Sequence, residues 1–207
     1  TMAAPFRIYS TLSRRTAPFE PVNPGKVSLY CCGMTVSGNV HVGHARAFIV
    51  FDAFVRYLRH RDWEVTFVRN FTDVDDKIIN RANELGEDPA ALAERLIDEF
   101  HRDVRALGLT EPDAEPRVPE SMDRIQDMIG ALVERGHAYP SEGSVWFDVT
   151  SFPEYGKLSG QKLEELRSPD EVPGKKHPAD FALWTAVKPD EPFWDSPWGP
   201  GRPGWRI

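Results

Sequence analysis

Residues 27 to 68 constrain this chain more than any other part of it. An apolar stretch over 27–33 leads through Met34-Thr35-Val36-Ser37-Gly38-Asn39-Val40 into His41-Val42-Gly43-His44. Phe48, Phe51, Val55 and Leu58 then recur at helical spacing, so 43–60 is expected to be an amphipathic helix. Val65, Phe67 and Val68 supply a second buried strand. Strand, loop, helix and strand make a right-handed crossover of a parallel nucleotide-binding sheet. The start of such a helix offers unpaired N–H groups and partial positive charge to phosphate oxygens. Gly43 lets a purine or ribose approach the main chain. His41 and His44, at i and i+3, can face one ligand and donate hydrogen bonds where charge builds up on phosphorus. A His-x-Gly-His tetrapeptide in isolation is equally what a loop glycine between two surface histidines looks like.

The Gly-x-Gly-x-x-Gly dinucleotide fingerprint is absent, which argues against a dehydrogenase. A helix is expected from Asp73 or Val74 to Leu85, with Ile78, Ile79, Ala82 and Leu85 inward and Gly86 as a stop. Asp88-Pro89 opens another helix that turns Leu92, Leu96, Phe100, Val104 and Leu107 inward. A further helix over 119–135 is expected to bury Ile125, Met128, Ile129, Leu132 and Val133. After Gly136 the texture changes. Residues 144–149 alternate as a half-exposed strand does, a loop-rich stretch follows through Pro178, and a strand is expected over 180–187.

A length of 207 residues suits one domain, or one domain with an insertion. No apolar run is long enough to cross a membrane, and two adjacent cysteines make no ordinary disulfide staple, so a cytoplasmic location is expected. A net charge of −7 argues against a generally basic nucleic-acid binder, though not against a local basic surface. Arg56, Arg59, His60 and Arg61 form such a cluster, read here as cations placed against a helix C-terminus.

The ordered motifs Tyr30-Cys31-Cys32-Gly33-Met34-Thr35-Val36, His41-Val42-Gly43-His44-Ala45-Arg46 and Phe67-Val68-Arg69-Asn70-Phe71-Thr72-Asp73-Val74-Asp75-Asp76-Lys77-Ile78-Ile79 resemble the class I aminoacyl-tRNA synthetases, and specifically the cysteinyl-tRNA synthetases. Asp180-Phe181-Ala182-Leu183-Trp184 and Ser196-Pro197-Trp198-Gly199-Pro200-Gly201-Arg202-Pro203-Gly204-Trp205 extend the resemblance over essentially the whole chain. It implies an α/β fold: the first half of a Rossmann-like parallel sheet with an inserted α+β connective-peptide region. The expected division is 1–114 for the first half of the catalytic domain, 115–190 for the insertion and 191–207 for a return to the catalytic domain. The implied activity is ATP-dependent activation of L-cysteine to cysteinyl adenylate and its transfer to tRNA(Cys), with Mg²⁺ and Zn²⁺, by a protein that is monomeric at full length.

The resemblance also assigns residues. His41, Gly43 and His44 belong to ATP, with Thr35 as a hydroxyl partner to phosphate and the two histidines as the catalytic pair. Gly33, Thr72 and Trp205 are expected at the amino-acid pocket. Cys32 becomes a ligand of a tetrahedral zinc that grips the substrate thiolate; read by itself, it is also a small packing residue at a strand end. Cys31 matches no ligand position. Asp75 and Asp76 read as an acidic first helical turn. Lys157, Lys175, Lys176 and Arg202 lie where an acceptor stem could approach, but read as solvated surface charges.

The family continues beyond the Gly-Trp pair with a His-Ile-Glu-Cys run carrying a second zinc ligand, whereas this chain reads Gly204-Trp205-Arg206-Ile207. Ser37-Gly38-Asn39-Val40 replaces a more usual Tyr-Asp-containing stretch. The expectation is an amino-terminal fragment, inactive in isolation. Two other readings stand beside it: a cysteine ligase with a non-tRNA amine acceptor, and a truncated non-catalytic paralogue.

Overall fold

The computed structural model describes residues 6–163 and 173–207. In chain order the elements are β1 (Arg7–Ser10), β2 (Arg15–Pro18), β3 (Lys26–Cys31), α1 (Val42–His60), β4 (Glu64–Arg69), α2 (Asp76–Leu85), α3 (Pro89–Ala106), α4 (Met122–Glu134), β5 (Ala138–Ser141), β6 (Ser144–Phe147), β7 (Phe181–Ala186) and β8 (Gly201–Pro203). They form two compact units, Pro21–Met122 and a second made of the chain up to Glu20 with Asp123–Ile207.

In the first unit β3 and β4 pair in parallel, Lys26 opposite Glu64 through Cys31 opposite Arg69, with α1 as the connection between them. The expected crossover is therefore present. Residues 113–116 extend the pairing on the far side of β4: the Asp113 amide donates to the Phe67 carbonyl at 2.7 Å and the Arg69 amide to the Ala114 carbonyl at 3.1 Å. Beneath lies a core of Met34, Val36, Phe48, Phe71, Leu92, Leu96, Ile97 and Phe100, with Ile78 and Ala82 from α2. Phe100 sits at its centre, edge-on to Phe48 (5.4 Å) and Phe71 (5.2 Å).

The first helix of the pair that follows β4 starts later than its apolar pattern suggests. Asp75 is the N-cap of α2 and accepts the Lys77 amide at 2.9 Å, so Asp73 and Val74 stay outside the helix. Leu85 and Leu107 are exposed rather than inward, because each stands at a helix end where the chain turns away from the core. Met128 is also exposed, and Leu132 and Val133 are only half-buried; Ile129 alone of the expected α4 stripe is fully inside. The basic cluster at the end of α1 is taken up locally. Arg56 pairs with Asp52 at 2.7 Å, Arg59 with Asp113 at 3.3 Å, and Arg61 donates to the Tyr57 hydroxyl at 2.8 Å.

One charge is buried where an apolar residue would be expected. Arg69 lies on the inward face of β4, 3% exposed, with Glu115 accepting from its Nε (3.1 Å) and Nη2 (2.5 Å). The guanidinium also lies over the rings of Phe100 (4.7 Å) and Phe48 (5.2 Å). His101 meets the second carboxylate oxygen of Glu115 at 2.8 Å.

The second unit holds an antiparallel sheet ordered β5-β6-β7-β8 and a separate β1-β2 hairpin. Part of the loop-rich stretch expected before Pro178, residues 164–172, lies outside the described residues. Asp180, which begins the Asp-Phe-Ala-Leu-Trp motif, is buried and accepts from the Tyr139 hydroxyl (2.6 Å) and the amides of Val149 and His177 (both 3.0 Å). Burial, and then the bond to Asp180, push the Tyr139 hydroxyl pKa up to about 12. Trp184 fills the core of the sheet. Both motifs of this half therefore carry packing and loop closure. Arg202 corrects the surface reading given to it: it is 5% exposed and bonds Glu191 at 3.0 Å, because β8 lies against β7.

Removing the central ring should be expensive. Phe100→Ala is expected to cost about 3–5 kcal/mol, from lost transfer energy and the cavity left between Phe48 and Phe71, read as a fall in the urea midpoint.

Candidate functional site

The site is built where β3 and β4 end side by side. Beyond the paired strands the two segments stay in contact: Thr35 bridges Thr72 in parallel, the Val36 amide donates to the Thr72 carbonyl (3.2 Å), and the Thr72 amide to the Met34 carbonyl (3.1 Å). The Gly33 amide donates to Oδ1 of Asn70 at 2.8 Å. A Cβ on Gly33 would lie 1.5 Å from the Asn70 carbonyl oxygen, so only glycine permits this approach.

A cleft of about 510 Å³ opens above the junction, lined among others by Cys32, Gly33, Thr35, His41, Gly43 and His44. Thr72 is held beside Thr35 through its backbone and is not among the lining residues. Trp205 belongs to the other unit, where it is 71% exposed. Lys77, Phe48 and Phe51 also line the cleft, and the reading of the loop did not single them out for it. Asn39 is a further addition, donating to Glu99 of α3 at 2.6 Å. The residue types alone signal none of these placements, although Asn70 and Lys77 both fall in a motif that carried the resemblance.

His41 is the N-cap of α1. Its Nδ1 accepts the Gly43 amide at 3.0 Å, and its own amide makes a long 3.5 Å contact to Nδ1 of His44, a capping box made of two imidazoles. The rings stack, centroids 3.8 Å apart and 23° between planes. An Nδ1 that accepts leaves the proton on Nε2, so each neutral ring presents an Nε2–H donor. Gly43 serves this cap: a Cβ there would stand 2.9 Å from the His41 ring, so the space is used by the histidine itself. Burial first, and the neighbouring His41 second, hold the His44 pKa below its usual 6.5. His44 is thus a neutral donor at physiological pH.

Cys31 is buried, and burial raises its thiol pKa; Cys32 is exposed in the cleft. Among the described residues no three His, Cys, Asp or Glu side chains come together as a metal site. The residues present offer zinc one thiol, which does not make a closed tetrahedral centre. Among the described residues no Asp or Glu lines the cleft, so they offer Mg²⁺ no carboxylate ligand there. Asp73, beside Thr72, gives its carboxylate to the Val118 amide at 2.9 Å, and burial raises its pKa. Among the described residues no helix is long and apolar enough to cross a membrane.

Residues 18–207 match the family model for the tRNA synthetases class I (C) catalytic domain, and the chain belongs to that family. It is 54% identical over 204 residues to a cysteine–tRNA ligase of Desulfotalea psychrophila, covering 97% of this chain and 42% of the relative. Identity is 56% to the corresponding ligase of Alkalilimnicola ehrlichii, at 97% and 44% coverage, and 53% to the cytoplasmic cysteine–tRNA ligase 2 of Arabidopsis thaliana, at 97% and 40%. The chain spans less than half the length of these curated relatives. Among solved structures, a methionyl-tRNA synthetase of Mycobacterium tuberculosis in complex with methionyl-adenylate superposes with a TM-score of 0.51 at 26% identity, over 59% of this chain and 25% of that one. The fold is accordingly the Rossmann-like α/β fold of class I synthetases, and the chain is catalytic-domain sequence of a class that uses ATP.

Two measurements probe this geometry. Gly33→Ala should cost about 3 kcal/mol in denaturant unfolding because backbone must move, whereas Gly38→Ala, which meets nothing within 4 Å, should be near neutral. An NMR titration should place the His44 midpoint below 6.5, and His41→Asn, which keeps a capping side chain, should raise it. The folded state holds that proton less tightly than the unfolded chain. Stability therefore rises with pH between the two values and is lost as pH falls below 6.5.

Proposed function

We propose that the protein is a cysteine–tRNA ligase, activating L-cysteine with ATP to cysteinyl adenylate and transferring the cysteinyl group to tRNA(Cys), as a monomer in the cytoplasm. The observation that carries the reading is the pair of imidazoles at the start of α1, locked as Nε2–H donors in a cleft floored by Gly33. Activation is an in-line attack by a carboxylate on the α-phosphorus, and the protein's work is to position two anions and stabilise added charge. His41 and His44 donate to phosphate oxygens, and the Thr35 hydroxyl adds a third donor. A neutral His44 can strengthen its hydrogen bond as charge develops without a proton changing hands. Gly33 and Thr72 shape the amino-acid side of the site; a substrate role for Trp205 rests on resemblance alone.

Mg²⁺ is proposed as a companion of the nucleotide, which would neutralise phosphate charge when bound. Zinc is proposed only as a metal that Cys32, with further ligands, binds against the substrate thiolate, where a serine hydroxyl would be a poor substitute.

The test is cysteine-dependent exchange of pyrophosphate into ATP by the full-length chain. His44→Ala is expected to lower it about a hundredfold or more, the usual loss for a transition-state donor. Cys32→Ser is expected to raise the KM for cysteine while ATP binding stays unchanged. Normal exchange by both variants would overturn the assignment.

A further inference from the structure

The charge lining the cleft is one-sided. Among the described residues Lys77 is the only lysine or arginine that lines it, and no Asp or Glu lines it beside Lys77. His44, held neutral, adds no fixed charge. Several other cations of the same unit are committed: Arg69 to Glu115, Arg95 to Glu87 and Glu99, Arg117 to Glu94, Arg105 to Glu111. The Lys77 ammonium enters no ion pair among the described residues, so its charge faces an opening rather than a carboxylate.

Its position on α2 points the same way. Asp75 caps that helix and Asp76 stands in its first turn, both favoured by the positive end of the helix dipole. Lys77, which follows directly, is a cation in a turn where the dipole opposes one. Helix stability alone would select against it there, and the Asp75 side chain is spent on the backbone amide of Lys77, at 2.9 Å. A permanently charged ammonium on a flexible stem is a standard partner for phosphate.

We infer that Lys77 binds the triphosphate of ATP, supplying a fixed positive charge beside the two imidazoles of the cleft. This rests on the reading of the cleft as an ATP site. Lys77 neutralises one phosphate charge in the same cavity where α1 presents its N-terminus and His41 and His44 present their Nε2–H donors. The adenosine moiety carries no charge for an ammonium to pair with.

The test measures the affinity of the full-length chain for ATP and for adenosine at low and high salt, with Lys77→Met and Lys77→Arg beside the unsubstituted protein. Lys77→Met should bind ATP about tenfold more weakly at low salt, with a flatter salt dependence, because one screened ion pair has gone. Adenosine affinity should be unchanged, which separates loss of a phosphate contact from damage to the fold. Lys77→Arg should recover most of the ATP affinity. Equal ATP affinity in Lys77→Met and the unsubstituted protein overturns the role of Lys77 and leaves the ATP reading standing. Failure of the unsubstituted protein to bind ATP overturns that reading, and the inference with it.

Discussion

The crossing of Gly33 and Asn70 governs the nucleotide-binding half of this chain. Two parallel strands diverge at their ends unless something holds them, and here the Asn70 carbonyl occupies the volume a side chain on Gly33 would need, while its amide oxygen takes the Gly33 N–H. The contact thereby pairs the Gly33 N–H that this close approach covers. It lets the pairing continue to Thr35 and Thr72, which sets the floor of the cleft and the point at which the chain turns toward α1. Cys32, immediately before the crossing, is thereby displayed, while Cys31 is turned into the core.

The residue before Asn70 is as consequential. A guanidinium inside an apolar core is costly unless it is paired and hydrogen-bonded with good geometry. Arg69 meets that condition through two bonds to Glu115 and two aromatic faces, one of which, Phe48, also lines the cleft. Glu115 is in turn shared with His101 of α3. The charge cluster thus joins β4, the 113–116 segment and α3, and the wall of the cleft is set from behind by electrostatics as well as by packing.

Periodicity alone located the crossover, because strand and helix differ in repeat and the apolar positions of 27–68 obey each in turn. It failed at ends. Leu85 and Leu107 keep the apolar period but lie where backbone geometry turns the chain out, and the start of α2 depends on the Asp75 side chain, which hydropathy does not register. Burial of Arg69 and Arg202 was illegible for a similar reason: each partner, Glu115 or Glu191, is brought in by chain pairing that no local pattern encodes. At the cleft, motif resemblance supplied His41, Gly43, His44 and Cys32. Asn70 and Lys77 came into view only when tertiary structure put their segment beside the loop. Trp205 stands exposed on the second unit, and its role rests on resemblance.

The self-capping of α1 changes what it means for a ligand to arrive there. With His41 accepting the Gly43 amide, the helix start is already quenched at that donor, and an acceptor could reach this one amide only by displacing the imidazole. Occupancy of the helix start is therefore an exchange of acceptors, with little net gain at that one amide. A monatomic anion, with one centre to offer, cannot both take the cap's place at the Gly43 amide and reach a ring Nε2–H. The imidazole that seals the helix start is thus a built-in competitor for any acceptor that arrives there.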